Sequence, residues 1–320
     1  MPDKLIHFVW LLPEPKDSNK HIRRMIQSEA AFVDEKIIFL QAEDYHLKVG
    51  KVEQPDLIIF YGSFYKPHFD PYCLISKIRQ TWQTTYLSAW LTDDPYEFDS
   101  GYLLTGYLDF LFINDKNASR YYHSAKVHPL PLAAAMNLID DRPPLAPEWD
   151  FVFCGVGFAN RVEALTGLQS TLKQYSTLII GSGWTEELKS SCFWLPSVPY
   201  EELLTIYQKS KIVLNFARNF DFCNTLYEIV SSTTAPRTFE VAALGIFQLV
   251  FFDKPEVYEY FSRDELITFS SKDEFDQLVK KYLSNAELRT EIAQKAQKRV
   301  LNQHLYRHRF QTLLTRVFSS

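Results

Sequence analysis

Hydrophobic and polar positions alternate along this chain in blocks of strand and helix length. Apolar bursts fall at KLIHFVW (4–10), KIIFLQ (36–41), DLIIFYG (56–62), TTYLSAWL (84–91) and LDFLFIN (108–114). Between several of them, NKHIRRMIQSEAAF (19–32), YCLISKIRQTW (72–82) and KNASRYYHSA (116–125) space their apolar residues as helices do. Continuous apolar strands interleaved with amphipathic helices predict a parallel sheet covered on both faces.

The stretch DDRPPLAPEWD (140–150) interrupts this grammar with three prolines and four acids in eleven residues. Proline fixes φ, restricts the residue before it and donates nothing to a ladder, so the stretch reads as a linker. The pattern then restarts. WDFVFCG (149–155), TLIIG (177–181), KIVLNFA (211–217), IFQLVFF (246–252) and ELITF (265–269) read as strands. RVEALTGLQSTLKQY (161–175), YEELLTIYQKS (200–210), the stretch 235–245 and PEVYEYF (255–261) read as helices. From Ser271 the chain is helical to its end, with no Pro or Gly after residue 270. The expected organisation is α/β: an N-terminal Rossmann-like domain over 1–139, a linker over 140–149 and a second Rossmann-like domain over 150–303. A helix over 304–320 is a candidate to pack back on the first. Two such domains would face each other across a cleft, where ligands usually bind.

Composition narrows the class. With 46% hydrophobic and 23% charged residues among 320, the chain has the makings of well-packed cores. A formal charge of −5 argues against a nucleic-acid backbone as the main partner. Cys73, Cys154, Cys192 and Cys223 form no CxxC pair and have no His at metal spacing, and the apolar surroundings of Cys73 and Cys154 suggest buried, reduced thiols. The N-terminal apolar run is broken at once by Pro13 and Pro15, unlike a signal peptide, and no stretch approaches a membrane span. A cytoplasmic location is expected.

Ligands of open α/β sheets sit at the C-terminal ends of the strands. After WDFVF comes CGVGFANR, where Gly155 and Gly157 permit a turn toward a phosphate and Arg161 opens the helix behind them. The same glycines also suit a plain strand–helix turn. Position 160 is Asn, so GxGxxG is incomplete, and no GxxxxGK[ST] occurs. Asn215 and Arg218 close another strand, and both need partners if buried. Trp184, Phe193 and Trp194 have the rings to stack on a base, with core packing the simpler role.

The stretch APRTFEVAALGIF (235–247) poses the sharpest question. Pro236 suits the first helical position, which makes Ala235 the cap, and alanine caps poorly. Arg237 then sits at the positive end of the helix dipole. An anion such as a diphosphate would complete the uncapped N–H groups and the arginine. Glu240, one turn on, could accept from ribose hydroxyls, and Gly245 is a natural stop. A buried crossover helix with one solvated Arg accounts for the same residues.

In the first half, WLTDDPYEFD (90–99) places Asp93 and Asp94 at a strand end facing the expected cleft. Paired acids there could supply a catalytic base, or simply an Asp-Pro turn and a helix cap. His7 and His68 lie on or near strand ends, where structural or solvated roles are commoner.

FVFCGVGFANRVEAL, VPYEELLTIYQKSKIVLNFAR, APRTFEVAALGIFQLV and the tail from SSKDEFDQ to LYRHRF, in this order, resemble the glycosyltransferase group-1 domain of the CgeB/YkvP spore-protein-like family. PDLIIFYG, AWLTDDPYEFD and LDFLFIND resemble the N-terminal domain of the same family. The resemblance implies a GT-B fold and transfer of a sugar from a nucleotide-diphosphate sugar to an unidentified acceptor. It implies a donor site of Gly155, Gly157, Arg161, Asn215, Arg218, Arg237, Thr238 and Glu240, with the ribose on Glu240 and Asp93 or Asp94 as the base if the enzyme inverts. The acceptor should enter from the N-terminal domain, near Gly62 and Asp93. No cofactor and no essential metal are expected, since helix dipole and arginine can offset leaving-group charge. Many related retaining enzymes carry a second glutamate eight positions before the first; here that position is Ser232. A catalytically silent sugar- or nucleotide-binding member and a phage-type DNA-base glycosyltransferase are the rival readings.

Overall fold

The structure is a computed structural model that describes residues 4–14, 19–65, 69–123, 126–139 and 145–319. Its elements run β1 (Leu5–Trp10), α1 (Lys20–Ala30), β2 (Lys36–Gln41), α2 (Ala42–Lys48), β3 (Leu57–Tyr61), α3 (Pro71–Thr81), β4 (Tyr86–Leu91), α4 (Phe98–Tyr102), β5 (Phe110–Ile113) and β6 (Lys126–Pro129). The chain continues with β7 (Trp149–Cys154), α5 (Ala159–Leu172), β8 (Thr177–Ile180), α6 (Glu186–Ser191), β9 (Phe193–Leu195), α7 (Tyr200–Gln208) and β10 (Ser210–Asn215). Then come α8 (Pro236–Ala243), β11 (Gln248–Phe251), α9 (Val257–Tyr260), β12 (Ile267–Phe269), α10 (Lys272–Leu283), α11 (Ala286–Gln303) and α12 (Tyr306–Phe318). No helix among the described residues is long and apolar enough to cross a membrane.

The chain divides into two compact units. The first comprises 1–132, 221–233 and 306–320; the second comprises 133–220 and 234–305. The proline-rich residues 140–144 lie outside the described residues, as does His68.

In the first unit all neighbouring strands are parallel, in the order β2-β1-β3-β4-β5-β6. Alternate residues of each strand face opposite sides, and both sides are apolar, which is why the strands read as continuous bursts. Val9, Ile58, Phe60, Leu87, Ala89, Leu111 and Ile113 join the cluster that receives Leu74, Ile75 and Ile78 of α3. On the other face Phe8 and Trp90 meet Phe310 of α12 at ring distances of 5.8 and 6.5 Å. Helix α12 buries Tyr306, Phe310, Leu313, Leu314 and Val317, a 3–4 spacing along one stripe. Each such side chain contributes roughly 1.5–3 kcal/mol relative to exposure. The fully buried Glu29 of α1 accepts from Arg307 Nε at 2.5 Å, fixing α12 against α1.

The second sheet is also parallel, ordered β12-β11-β10-β7-β8-β9. Counting strands within this unit, that is six-five-four-one-two-three, with the order reversing between β7 and β10. Phe151, Phe153, Ile212 and Leu214 face α5 and α10, while Val152, Val213, Leu178 and Ile180 face Leu203, Tyr207 and Val241. Helix α8 is buried over Thr238–Ala243, so its pattern is apolar nearly all round. It stops as expected: Gly245 adopts φ +68°, and its Cβ position would lie 3.1 Å from Gln297 Nε2.

Several expectations need correction. KNASRYYHSA makes only a 3₁₀ turn over Ala118–Tyr121, and β6 and β9 are strands that the pattern missed for their shortness. The C-terminal helical tract breaks at Ser284–Asn285 and again at His304–Leu305, where capping and tertiary contacts act without Pro or Gly. Cys73 is exposed, because it lies in the first turn of α3 beside the Asp70 cap. Phe193 is 63% exposed on the edge strand β9, against the Trp149 ring. His7 lies mid-strand and buried; its Nδ1 is 2.6 Å from Tyr45 Oη, and burial lowers its pKa to about 4.

Candidate functional site

The C-terminal edge of the second unit's sheet gathers most of the residues singled out above. Order reversal between β7 and β10 opens a crevice outside their ends. The loop 155–158 after β7 lies against the loop 181–183 after β8, backbone to backbone. Gly155 N donates to Ile180 O at 2.8 Å and Gly157 N to Ser182 O at 2.8 Å. A Cβ on Gly181 would fall 2.0 Å from Gly155 O, and one on Gly157 2.6 Å from Gly183 O. These glycines are therefore required by the meeting of two loops. The N–H groups of Gly155 and Gly157 are engaged by the neighbouring loop, so these residues shape the turn.

The helix starts beside them differ from the rest of the unit. Helix α5 has Phe158 as its cap residue, no capping side chain and no acid in its first turn; Arg161 is its third residue. Helix α8 has Ala235 as its cap residue, again uncapped and acid-free, with Pro236 first and Arg237 second. The other helices of this unit open on a capping side chain (Thr185, Ser271 and Asn285 for α6, α10 and α11) or on first-turn acids (Glu201 and Glu202 in α7, Glu259 in α9). Two adjacent positive helix ends are thus each reinforced by an arginine.

Arg161 spans two loops: Nε donates to Phe216 O at 3.1 Å and Nη1 to Val156 O at 3.1 Å. Asn160 Nδ2 donates to Ala217 O at 3.0 Å, and Asn219 N to Asn160 Oδ1 at 3.3 Å. Lys254, after β11, donates to Asn219 Oδ1 at 2.9 Å. Asp253 next to it has Oδ1 buried without a hydrogen bond, and burial raises its pKa against the pull of Lys254 and Arg161. Arg218 is half-buried past the end of β10.

Arg237 turns inward. Its Nη1 donates to the Cys154 carbonyl and its Nε is buried without an acceptor. Burial opposes its charge, yet Tyr207, Cys154, Glu240 and Tyr200 keep its pKa above the ordinary guanidinium value. Glu240 is buried on the same helix, and Tyr200 donates to its Oε2 at 3.1 Å; burial and that carboxylate raise the Tyr200 pKa. Asn215 and Thr238 do not face a ligand space. Asn215 Nδ2 donates to Thr238 Oγ1 at 2.8 Å, and Thr238 Oγ1 lies 2.8 Å from Thr234 Oγ1, all buried. That network ties the end of β10 to the first turn of α8.

The corresponding edge of the first unit carries acids. Gly62, Ser63, Asp93, Asp94 and Glu97 line one small cavity. Asp94 is buried and accepts from Tyr122 Oη at 2.7 Å. Burial first, then the carboxylates of Asp115, Glu97 and Asp93, raise its pKa to about 7 despite that bond. Asp93 is half-buried, with Thr92 Oγ1 donating to it at 3.4 Å.

Two further acids, unmarked in the sequence reading, hold the segment 221–233. Asp99 accepts from Thr225 N at 2.8 Å, Thr225 Oγ1 at 2.6 Å and Leu226 N at 3.2 Å. Asp115, fully buried after β5, accepts from Ser232 N at 2.7 Å, Thr233 N and Ser231 Oγ at 3.1 Å, and Ala118 N at 2.9 Å. An acid just past the last apolar residue of a strand was the available signal for Asp115, as it had been for Asp93. Asp253, directly after Phe252, carried the same signal; Tyr200 offered none.

Two six-stranded parallel sheets with helices on both faces, in these strand orders, make this an α/β protein of GT-B glycosyltransferase fold. The comparisons agree over nearly the whole chain. An α-glucosyltransferase solved with UDP and a 13-mer DNA superposes with a TM-score of 0.68 at 11% identity, covering 98% of this chain and 100% of that one. HepE of Anabaena, solved with UDP and glucose, gives 0.65 at 9% identity over 99% and 100%. More particularly, residues 161–315 match the glycosyl transferase-like family. The chain is a distant homologue of the spore protein CgeB of Bacillus subtilis (strain 168), 24% identical over 222 residues, which are 64% of this chain and 67% of CgeB.

Proposed function

We propose that the protein transfers a sugar from a nucleoside-diphosphate sugar to a hydroxyl-bearing acceptor, with the donor held by the second unit. The observation that carries this reading is the pair of uncapped, acid-free helix starts of α5 and α8, each with an arginine in its first turn. A diphosphate completes helix starts that no side chain caps, and positive charge there stabilises the departing diphosphate without a metal. Arg161, Arg218 and Arg237 provide that charge. Asn215 and Thr238 position α8, and Gly155 and Gly157 let the two loops meet. Glu240, which accepts from Tyr200, takes the ribose hydroxyls. UDP is the first nucleotide to try, since HepE and the α-glucosyltransferase were solved with it.

The acceptor belongs with the first unit's acids. Asp93 is the better placed base, because Asp94 is buried and bonded to Tyr122. That concentration of carboxylates favours a neutral hydroxylated acceptor over the DNA of the α-glucosyltransferase complex.

The test is calorimetry with UDP, GDP, dTDP and CMP on the wild type and on Glu240→Ala, followed by turnover of the matching sugar nucleotide. One nucleoside diphosphate that binds wild type and fails with the variant is the expected result. Binding without consumption would make this a silent sugar-nucleotide binder, and no binding at all would overturn the reading.

A further inference from the structure

The opposite edge of the second unit's sheet holds a separate cavity of about 440 Å³. It lies beside the first residues of β10 and the turn 244–247 that joins α8 to β11, and one face of α11 closes it. Its size falls within the range of about 300–1,000 Å³ typical of small-molecule sites. Two cations, Lys211 and Arg289, line it, and no carboxylate does among the described residues, in a protein of net charge −5.

One carboxylate outside the lining, Asp150, faces both cations, so the pair keeps a net positive charge. Lys211 pairs with Asp150 at 2.7 Å, and Asp150 also accepts from Ser176 N and Oγ at 3.1 Å each. Arg289 Nη1 donates to the Leu283 carbonyl at 3.1 Å, a neutral acceptor, and burial lowers the Arg289 pKa. The rest of the polar lining is Gln208, Ser210, Thr290, Gln294 and Gln297. A primary amide both donates and accepts, which matches a hydroxyl group and not a bare anion. Leu244, Ile246 and Ala293 add an apolar wall suited to the C–H face of a sugar ring.

We propose that this cavity is a second binding site, for a phosphorylated polyol, with the phosphate between Lys211 and Arg289 and the hydroxyls on the glutamines. It lies at the N-terminal ends of the strands, so it is not the donor site and can be filled together with it.

Calorimetry on the full chain, with glucose 6-phosphate, inorganic phosphate and glucose as probes, tests this. Glucose 6-phosphate is expected to bind at least about tenfold more tightly than inorganic phosphate, with no detectable heat from glucose. Gln294→Glu puts a carboxylate on the exposed helix face at the rim, where folding does not depend on it, and is expected to weaken binding by at least about tenfold. Saturating UDP should leave the affinity unchanged. No binding of glucose 6-phosphate, equal binding of inorganic phosphate, an indifferent Gln294→Glu variant or competition by UDP would each overturn the proposal.

Discussion

The two sheets end alike and are charged oppositely. Past the strands of the second unit stand Arg161, Arg218, Arg237 and Lys254, beside two helix ends that lack caps. Past the strands of the first stand Asp93, Asp94, Glu97, Asp99 and Asp115. One architecture used twice therefore carries an arginine-rich edge, with Asp253 and Glu240 set among its cations, and an acid-lined edge, and side chains a few residues beyond each strand decide which. The acids further divide by what they already hold. Asp99 and Asp115 are saturated by the segment 221–233, whereas Asp94 accepts from Tyr122 and Asp93 from Thr92.

The largest effect expected on the acidic edge is a pH dependence. Asp94 in the folded protein titrates near 7, above its usual 3.8, so the folded state binds the extra proton between those values. Stability should then fall as pH rises from about 4 to 7 and level off above, by up to about 4 kcal/mol. Asp94→Asn keeps the bond from Tyr122 and removes the charge, and denaturant melts at several pH values should show that slope flattened. An unchanged slope would deny Asp94 its burden of repulsion.

On the cationic edge, Arg237→Met should weaken binding of the nucleoside diphosphate by about 100-fold, measured by calorimetry, and take a neighbouring positive charge from Glu240. Retained affinity would separate Arg237 from the donor and return the basic character of that edge to Arg161 and Arg218. Asp115→Ala strands the Ser232 and Thr233 N–H groups and should cost about 2–3 kcal/mol. The segment 221–233 should then be cut earlier by protease than any other, and unaltered cleavage would show that Asp115 does not hold it. The smallest effect belongs to Gly157→Ala, whose new Cβ meets Gly183 O at 2.6 Å. A loss of roughly 1–3 kcal/mol is expected in thermal unfolding, with no effect on nucleotide affinity beyond it.

Much of the fold was legible because both faces of each sheet are buried. Strands such as β2, β3 and β7 appear in the sequence within a residue of where they lie. The short strands β6 and β9 were not legible, since KVHP is mostly polar and FWL is too short a run to separate from its surroundings. For the candidate site, the uncapped start of α8 was read correctly from Ala235, Pro236 and Arg237. The roles of Gly155, Gly157, Asn215 and Thr238 were not. Each is engaged by a neighbour more than twenty residues along the chain: Ile180, Ser182, Thr238 and Asn215.

By itself, then, the sequence determined the periodic parts of this protein: which segments are strands, which helices, and where a helix begins without a cap. These follow from local spacing and from the backbone chemistry of Pro, Gly and Ala. Only the tertiary structure decided which polar groups are spent and which remain for a ligand. The partners of Asp115, Arg161, Arg237 and Glu240 come from other elements of the fold, and no spacing along the chain encodes a hydrogen bond across that separation.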